Sequence, residues 1–289
     1  MTMMGNSTAR SGFLLANGRP YMLERTYSAT ARLNYQHYLF RECVKFNLHP
    51  SIPVPPNARI ADVATGTAIW LYEVARDIPA ATLDGLDISL DSAPPAEWLP
   101  TNVTLRQWDI FDDVPPDLVG TYDIVHLRFF MLVVRESDPI PVIRKVSTLL
   151  KPGGWIQWDE FNYRDAHIIS AKTNVEQLLA MEQLRQFAYS DGRNNWTLDI
   201  PRHLRNEGFI HTELFQYRDP PERAKPNNEE YIMCLEEFAN RLDQEGERQD
   251  AQEVYDLIGK INEESQRGAA LLMDRLVCIG QRVTPQSQL

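Results

Sequence analysis

Between residues 58 and 160, short apolar runs alternate with segments whose apolar residues recur at helical spacing, and few folds accommodate that rhythm. Residues 58–64, 81–87, 103–108, 122–128 and 155–160 read as strands. Between the first two, Leu71, Val74, Ala75 and Ile78 share one helical face and Pro79 stops the helix. Residues 141–150 make another helix, with Ile143, Val146, Leu149 and Leu150 inward, and Pro152-Gly153-Gly154 breaks it and turns the chain into the next strand. Strands alternating with helices in this way imply a parallel sheet covered on both faces. Residues 209–217, after Gly208, and 276–282 read as two further strands.

Outside that core the pattern is looser. Residues 1–20, rich in Ser, Asn and Gly and without periodicity, read as a flexible tail. Residues 21–57 form an N-terminal helical segment, ended by Leu48-His49-Pro50 and a Pro-rich run. The core spans residues 58–161. Beyond it, Val175, Leu178, Leu179 and Leu184 mark a helix, and two apolar stripes follow. Tyr231, Ile232, Leu235, Phe238, Ala239 and Leu242 make the first, and Val254, Tyr255, Ile258 and Ile261 the second. Both interrupt what would otherwise be a terminal hairpin, so residues 162–289 are the remainder of the fold with a helical cap inserted before the last strand.

The first strand runs into Ile60-Ala61-Asp62-Val63-Ala64-Thr65-Gly66-Thr67-Ala68 and then directly into a helix. Small side chains let a backbone approach a ligand, and a helix N-terminus offers free N–H groups. A dinucleotide fingerprint would need three glycines, whereas the corresponding positions hold Ala64, Gly66 and Ile69, which disfavours NAD or FAD. Asp87 ends the second strand about twenty residues on, where a carboxylate can accept from both ribose hydroxyls. Asp109 follows the third strand, where it can accept from an exocyclic adenine amine or cap a turn.

Taken in order, Asp62 to Ala68, Asp87-Ile88-Ser89, Asp109, Tyr122-Asp-Ile-Val-His-Leu-Arg128 and Leu149-Leu-Lys-Pro-Gly-Gly154 resemble the class I S-adenosylmethionine-dependent methyltransferases. Arg32-Leu-Asn-Tyr-Gln-His37 and Trp155-Ile-Gln-Trp-Asp-Glu160 are similar to segments of the fungal secondary-metabolite enzymes of that class. The resemblance implies an α/β fold: a Rossmann-like seven-stranded, mostly parallel sheet with helices on both faces, an N-terminal helix and helical cap insertions. It implies S-adenosylmethionine as cofactor, leaving S-adenosylhomocysteine. Asp62 with the backbone of Ala64, Thr65 and Gly66 would hold the methionine part, Asp87 with Ile88 the ribose, and Asp109 with the Ile110 amide the adenine. His126 would line the methionine end. Ala68 stands where the usual pattern has Gly, which puts cofactor affinity rather than fold in question.

Methyl transfer from a sulfonium is an in-line displacement, for which orientation supplies about 7–11 kcal/mol and a general base roughly 10²–10⁴-fold. The candidate catalytic residues are His126, whose imidazole titrates near neutral pH, and Glu160 at the carboxyl end of the fifth strand, as base or substrate anchor. A hydrogen-bonded structural role is the alternative for each. Trp155, Trp158, Phe129, Phe130 and Tyr163 could wall a flat acceptor or simply be core. The acceptor expected is a small natural-product-like molecule, methylated at oxygen. The alternatives are a methyltransferase-like regulatory or scaffold protein of secondary metabolism, and an S-adenosylmethionine-dependent catalyst of rearrangement or cyclisation.

A net charge of -11 argues against nucleic acid and anionic membrane as partners. Cys43, Cys234 and Cys278 have neither disulfide nor zinc spacing, and no cluster suggests a metal. No apolar run is long enough for a bilayer span, so a cytoplasmic monomer or homodimer is expected.

Overall fold

The apolar runs become strands because each is β-competent and bounded by turn residues. In the computed structural model, which describes residue 23 and residues 26–172, 174–189 and 192–284, they are β1 (Arg59–Val63), β2 (Thr82–Asp87), β3 (Val103–Gln107), β4 (Tyr122–Arg128) and β5 (Leu150–Phe161). Then come β6 (His167–Ser170), β7 (Phe209–Tyr217), β8 (Ala269–Leu272) and β9 (Arg275–Arg282). Seven of them form one sheet in the order β3-β2-β1-β4-β5-β9-β7. The first five are mutually parallel, and β9 runs antiparallel to both β5 and β7. The expected seven-stranded, mostly parallel α/β sheet is therefore present. The tail expected over residues 1–20 lies outside the described residues.

Period-two alternation sends successive side chains to opposite faces, and each face has its own core. On one face Ile60, Leu83 and Ile124 pack against α1 (Tyr27–Val44) and α2 (Ile69–Asp77) through Phe40, Val44, Trp70, Leu71 and Val74. On the other, Ala61, Val63, Val125, Leu127, Ile156 and Trp158 pack against α3 (Ile140–Leu149) and against Trp196, Ile200 and Leu204. Gly85 of β2 is required by this packing: a Cβ there would lie 2.5 Å from Leu105 and 2.9 Å from both Leu71 and Thr65. The cap has a separate core, in which Met181 and Leu184 of α4 (Leu179–Tyr189) meet Tyr231, Leu235, Phe238, Val254 and Ile261.

Pro152-Gly153-Gly154 does not end the helix ahead of a strand, as expected, but lies inside β5. The register jumps from Tyr122↔Leu150 to Ile124↔Trp155, so the three residues form a bulge, with Gly153 at φ +80°. Three further elements were not expected: α5 (Trp196–Asn206), which keeps Pro201 inside it, and β6 with β8, a separate antiparallel pair. The cap stripes become α6 (Ala224–Gln244) and α7 (Arg248–Gln266), between β7 and β9.

Candidate functional site

Asp62, on β1, follows Ile60 on the α1/α2 face, and His126, on β4, follows Ile124 there. The pairing Asp62↔His126↔Gln157 across β1, β4 and β5 brings polar side chains into a layer that is otherwise apolar. Beyond Asp62 the chain turns through three left-handed residues in five: Ala64 (φ 58°), Gly66 (φ 55°) and Ala68 (φ 60°). For alanine that conformation costs about 1–2 kcal/mol, and four hydrogen bonds hold it in place. Thr65 Oγ1 donates to Asp62 Oδ2 at 2.7 Å, and Thr65 N to the Leu86 carbonyl at 3.2 Å. Gly66 N donates to Asp87 Oδ2 at 2.8 Å, and Ala68 N to the Thr65 carbonyl at 2.9 Å. Ala68 is fully buried, in the cluster that holds Trp70 and Leu71. At φ 60° the departure from glycine carries backbone strain. Leu33 of α1 lies over the turn, 3.7 Å from where a Gly66 Cβ would be.

The other expected acceptors stand on adjacent strand ends. Asp87 also accepts from Ser89 N at 3.0 Å, and Ile88 beside it is 52% exposed, an apolar surface next to a carboxylate. Asp109, half-buried after β3, accepts from Phe111 N at 3.0 Å, while the side chain of Ile110 packs into the core.

His126 is buried and has both ring nitrogens engaged. Nδ1 lies 2.7 Å from Asp62 Oδ1 and Nε2 lies 3.0 Å from Asp159 Oδ2. The indole of Trp70 stacks on it, centroids 3.9 Å apart and planes 2° from parallel. Burial lowers its affinity for a proton, but Asp159 and Asp62 outweigh that and raise its pKa. Asp159, fully buried, also accepts from Arg128 Nε and Nη2 at 3.0 and 2.7 Å. Burial alone would raise its pKa, and the Arg128 and His126 charges bring it below the usual carboxylate range. Arg128 Nη1 donates to His37 Nδ1 at 3.0 Å, and His37 Nε2 faces Glu73 at 3.2 Å. Burial, with Arg128 and His126 close by, pushes the His37 pKa down to about 2, so this histidine is neutral.

Glu160 belongs to the other face of β5, with Trp158. Its Oε1 accepts from Phe130 N at 2.6 Å and from Trp158 Nε1 at 3.2 Å, while Oε2 is buried without a hydrogen-bond partner. Burial pushes its pKa up to about 8. It thus holds the turn after β4, where Phe129 takes a left-handed conformation (φ 58°) and stacks on Phe161 at 4.7 Å. Of the aromatic wall considered above, Trp158 and Phe130 are core against Trp196, and Trp155 pairs with Ile124 near the opposite edge. Phe129 and Tyr163 border the cap.

Sequence reasoning singled out Asp62, Asp87, Asp109 and His126 but not Asp159, Arg128, Trp70 or His37. The signal available was a pair of polar residues, Gln157 and Asp159, alternating on one face of a strand whose two faces should both be core. Clefts of about 320 and 410 Å³ lie near Pro53 and Trp155 and near Asn47 and Ile78, toward the amino edge of the sheet. Open α/β sheets bind ligands at the carboxyl edge, where the polar constellation stands. Among the described residues no group of His, Cys, Asp and Glu is arranged to hold a metal ion, and no helix is long and apolar enough to cross a membrane.

Comparison with known proteins identifies the family. The chain is 36% identical over 151 residues to methyltransferase grgD of a Penicillium species, covering 49% of this chain and 52% of the relative. It is 34% identical over 142 residues to N-methyltransferase tcpN of Claviceps purpurea, covering 48% and 50%. The chain thus spans about half the length of the curated relatives it matches. Among solved structures, phosphoethanolamine N-methyltransferase 2 of Haemonchus contortus in complex with S-adenosyl-L-methionine aligns with a TM-score of 0.49 at 16% identity, covering 98% of this chain and 61% of that one. A sequence profile described as a methyltransferase domain matches residues 35–219, well over half of the chain, from within α1 to just past β7, and so takes in every strand of the large sheet except β9. By that match the chain belongs to the methyltransferase-domain family.

Proposed function

We propose that this chain is an S-adenosylmethionine-dependent methyltransferase of a small organic acceptor. The observation that carries this is the set of carboxylates at three consecutive strand ends, Asp62, Asp87 and Asp109, around a turn held open by left-handed residues. The donor set fits the cofactor: Asp87 and Asp109 offer acceptors to a ribose and an amine, and the half-exposed Ile88 offers an apolar surface to a flat ring. Asp62 and the Ala64–Gly66 backbone would hold the methionine part. When bound, the cofactor supplies an electrophilic methyl group. The chain's own task is to orient the acceptor and exclude water, which is worth more than base catalysis.

The relatives sharpen the accepting atom. Several carry N-methyltransferase in their names, including tcpN and sirN of Leptosphaeria maculans, which supports nitrogen rather than the oxygen expected from the sequence. A nitrogen nucleophile with a free lone pair needs no proton removed before attack. That agrees with His126, whose ring nitrogens are both engaged by buried carboxylates and so are turned away from an acceptor.

The test is calorimetry with purified protein. S-adenosylmethionine and S-adenosylhomocysteine bind to the wild type, and Asp87→Ala weakens both by about ten-fold or more, the loss of charge-assisted hydrogen bonds. Absence of binding to the wild type at millimolar ligand would end this reading. Metabolite profiling of a deletion strain, looking for a species one methyl lighter, then identifies the acceptor.

A further inference from the structure

A neutral imidazole has one N–H and one lone pair. In this chain both nitrogens of His126 sit within hydrogen-bonding distance of a carboxylate oxygen, Asp62 Oδ1 at 2.7 Å and Asp159 Oδ2 at 3.0 Å. A neutral ring would turn its lone pair on one of those oxygens, so with both carboxylates ionised the arrangement calls for two donors. Parallel stacking on the Trp70 indole at 3.9 Å suits a cation above a π face. Asp159, on β5, balances His126 and Arg128, and Arg128 is bonded in turn to His37 of α1. The charged and titratable groups facing the ring are thus Asp62 from β1, Asp159 from β5 and Arg128 from β4. From α1 comes the neutral His37, backed by Glu73 of α2 and by Arg41, 3.4 Å from Glu73.

We propose that His126 is a permanent imidazolium that orients Asp62 toward the methionine end of the cofactor, with Asp159 and Trp70 as positioning residues behind it. The proposal rests on the cofactor reading above and deepens it. With Oδ1 held by His126 and Oδ2 by Thr65, the carboxylate of Asp62 cannot rotate, and each oxygen keeps a lone pair for an incoming ammonium. Preorganising an acceptor in this way removes an ordering cost from binding. The Arg128–His37 contact ties α1, which carries Leu33 over the turn, to the same unit.

Two measurements test this. Nitrogen-15 NMR of the histidine side chains in the ligand-free wild type shows His126 with both nitrogens protonated at neutral pH. A neutral tautomer there overturns the proposal without any variant having to fold. The second is the pH profile of S-adenosylhomocysteine affinity, which involves no turnover. In the wild type it is flat between about pH 6 and 8. In Asp159→Asn, which removes the larger of the two carboxylate effects on the ring, affinity falls about ten-fold or more across that range as His126 loses its proton. Trp70→Phe, which keeps an aromatic face and the fold, shows a smaller loss with the same slope. Equal affinities and flat profiles in both variants overturn the proposal. If the wild type binds no cofactor while His126 remains an imidazolium, the cofactor reading has failed and the role assigned to the clamp falls with it. If the wild type binds and the ring is neutral, only the clamp has failed.

Discussion

Glu160 and His126 stood together in the sequence as candidate bases, and both side chains are buried in their protonated forms, the carboxyl neutral and the imidazole a cation. Glu160 keeps its proton to about pH 8 because burial disfavours its charged form, against the bonds that Oε1 accepts from Phe130 N and Trp158, and Oε2 has no hydrogen-bond partner. His126 holds an extra proton because both its neighbours are carboxylates. Glu160→Gln separates an anchoring role from a catalytic one. The amide keeps the acceptor for Phe130 N and Trp158 but cannot ionise. Activity stays within a few-fold of wild type and stability at pH 6 within about 1 kcal/mol, as read by turnover and urea denaturation. A base would instead lose roughly 10²–10⁴-fold in rate. Asp87 and Asp109 were legible in the sequence because a carboxylate just past an apolar run has a narrow set of uses. Asp159 was not legible. Its meaning comes from residues on β1, β4 and α1, and sequence distance hides them.

At the scale of elements, α1 joins the sheet to the cap. Arg32, 2% exposed, donates from Nε and Nη2 to the carboxylate of Glu237 on α6 at 2.6 and 3.3 Å, and Gln36 Nε2 donates to Glu230 at 2.8 Å. A helix with so polar an inward face gives a weak amphipathic signal, so the sequence marks the helix and not its partner. Arg32→Met leaves the buried Glu237 unpaired, and unfolding in urea shows a loss of about 3–5 kcal/mol. The double variant Arg32→Met with Glu237→Met recovers more than half of it, because the buried charge is removed with its partner. Recovery of nothing would mean that packing, and not the ion pair, is what the single variant lost. The elements missed in the sequence carry weak one-dimensional signals for separate reasons. All four residues of β8 are buried, so no alternation exists to detect, and α5 carries Pro201 inside it. Pro152-Gly153-Gly154 reads as a terminator in one dimension, whereas in three it is a bulge that neighbouring strands hold in register.

Across the whole molecule the buried ionisable groups set a direction for stability against pH. Glu160 is protonated up to about pH 8 in the folded chain and ionises near 4.5 once unfolded. Burial likewise raises Glu230 to about 7, although Arg32 draws it down. Between 4.5 and their folded values each carries a proton the unfolded chain lacks, so each lowers stability by about 1.4 kcal/mol per pH unit as pH rises. His126, raised above 6.5, contributes fully below that value and loses its contribution as pH climbs through its folded pKa. His37 acts oppositely: with a folded pKa near 2 against 6.5 unfolded, stability gains with rising pH across that window and stops gaining at 6.5. Asp159, lowered below 3.8, contributes above that value and is lost only as pH falls through its folded pKa, so it leaves the neutral range unaffected. Above 6.5 the gains have ended, while the losses from Glu160 and His126 continue and that from Glu230 runs on to about 7. The urea midpoint therefore falls from pH 6.5 to about pH 8 at constant m-value, and Glu160→Gln makes that fall shallower. A midpoint that rises over this range would mean that these groups exchange protons with water in the folded chain, against the burial on which both the anchor at Glu160 and the clamp at His126 depend.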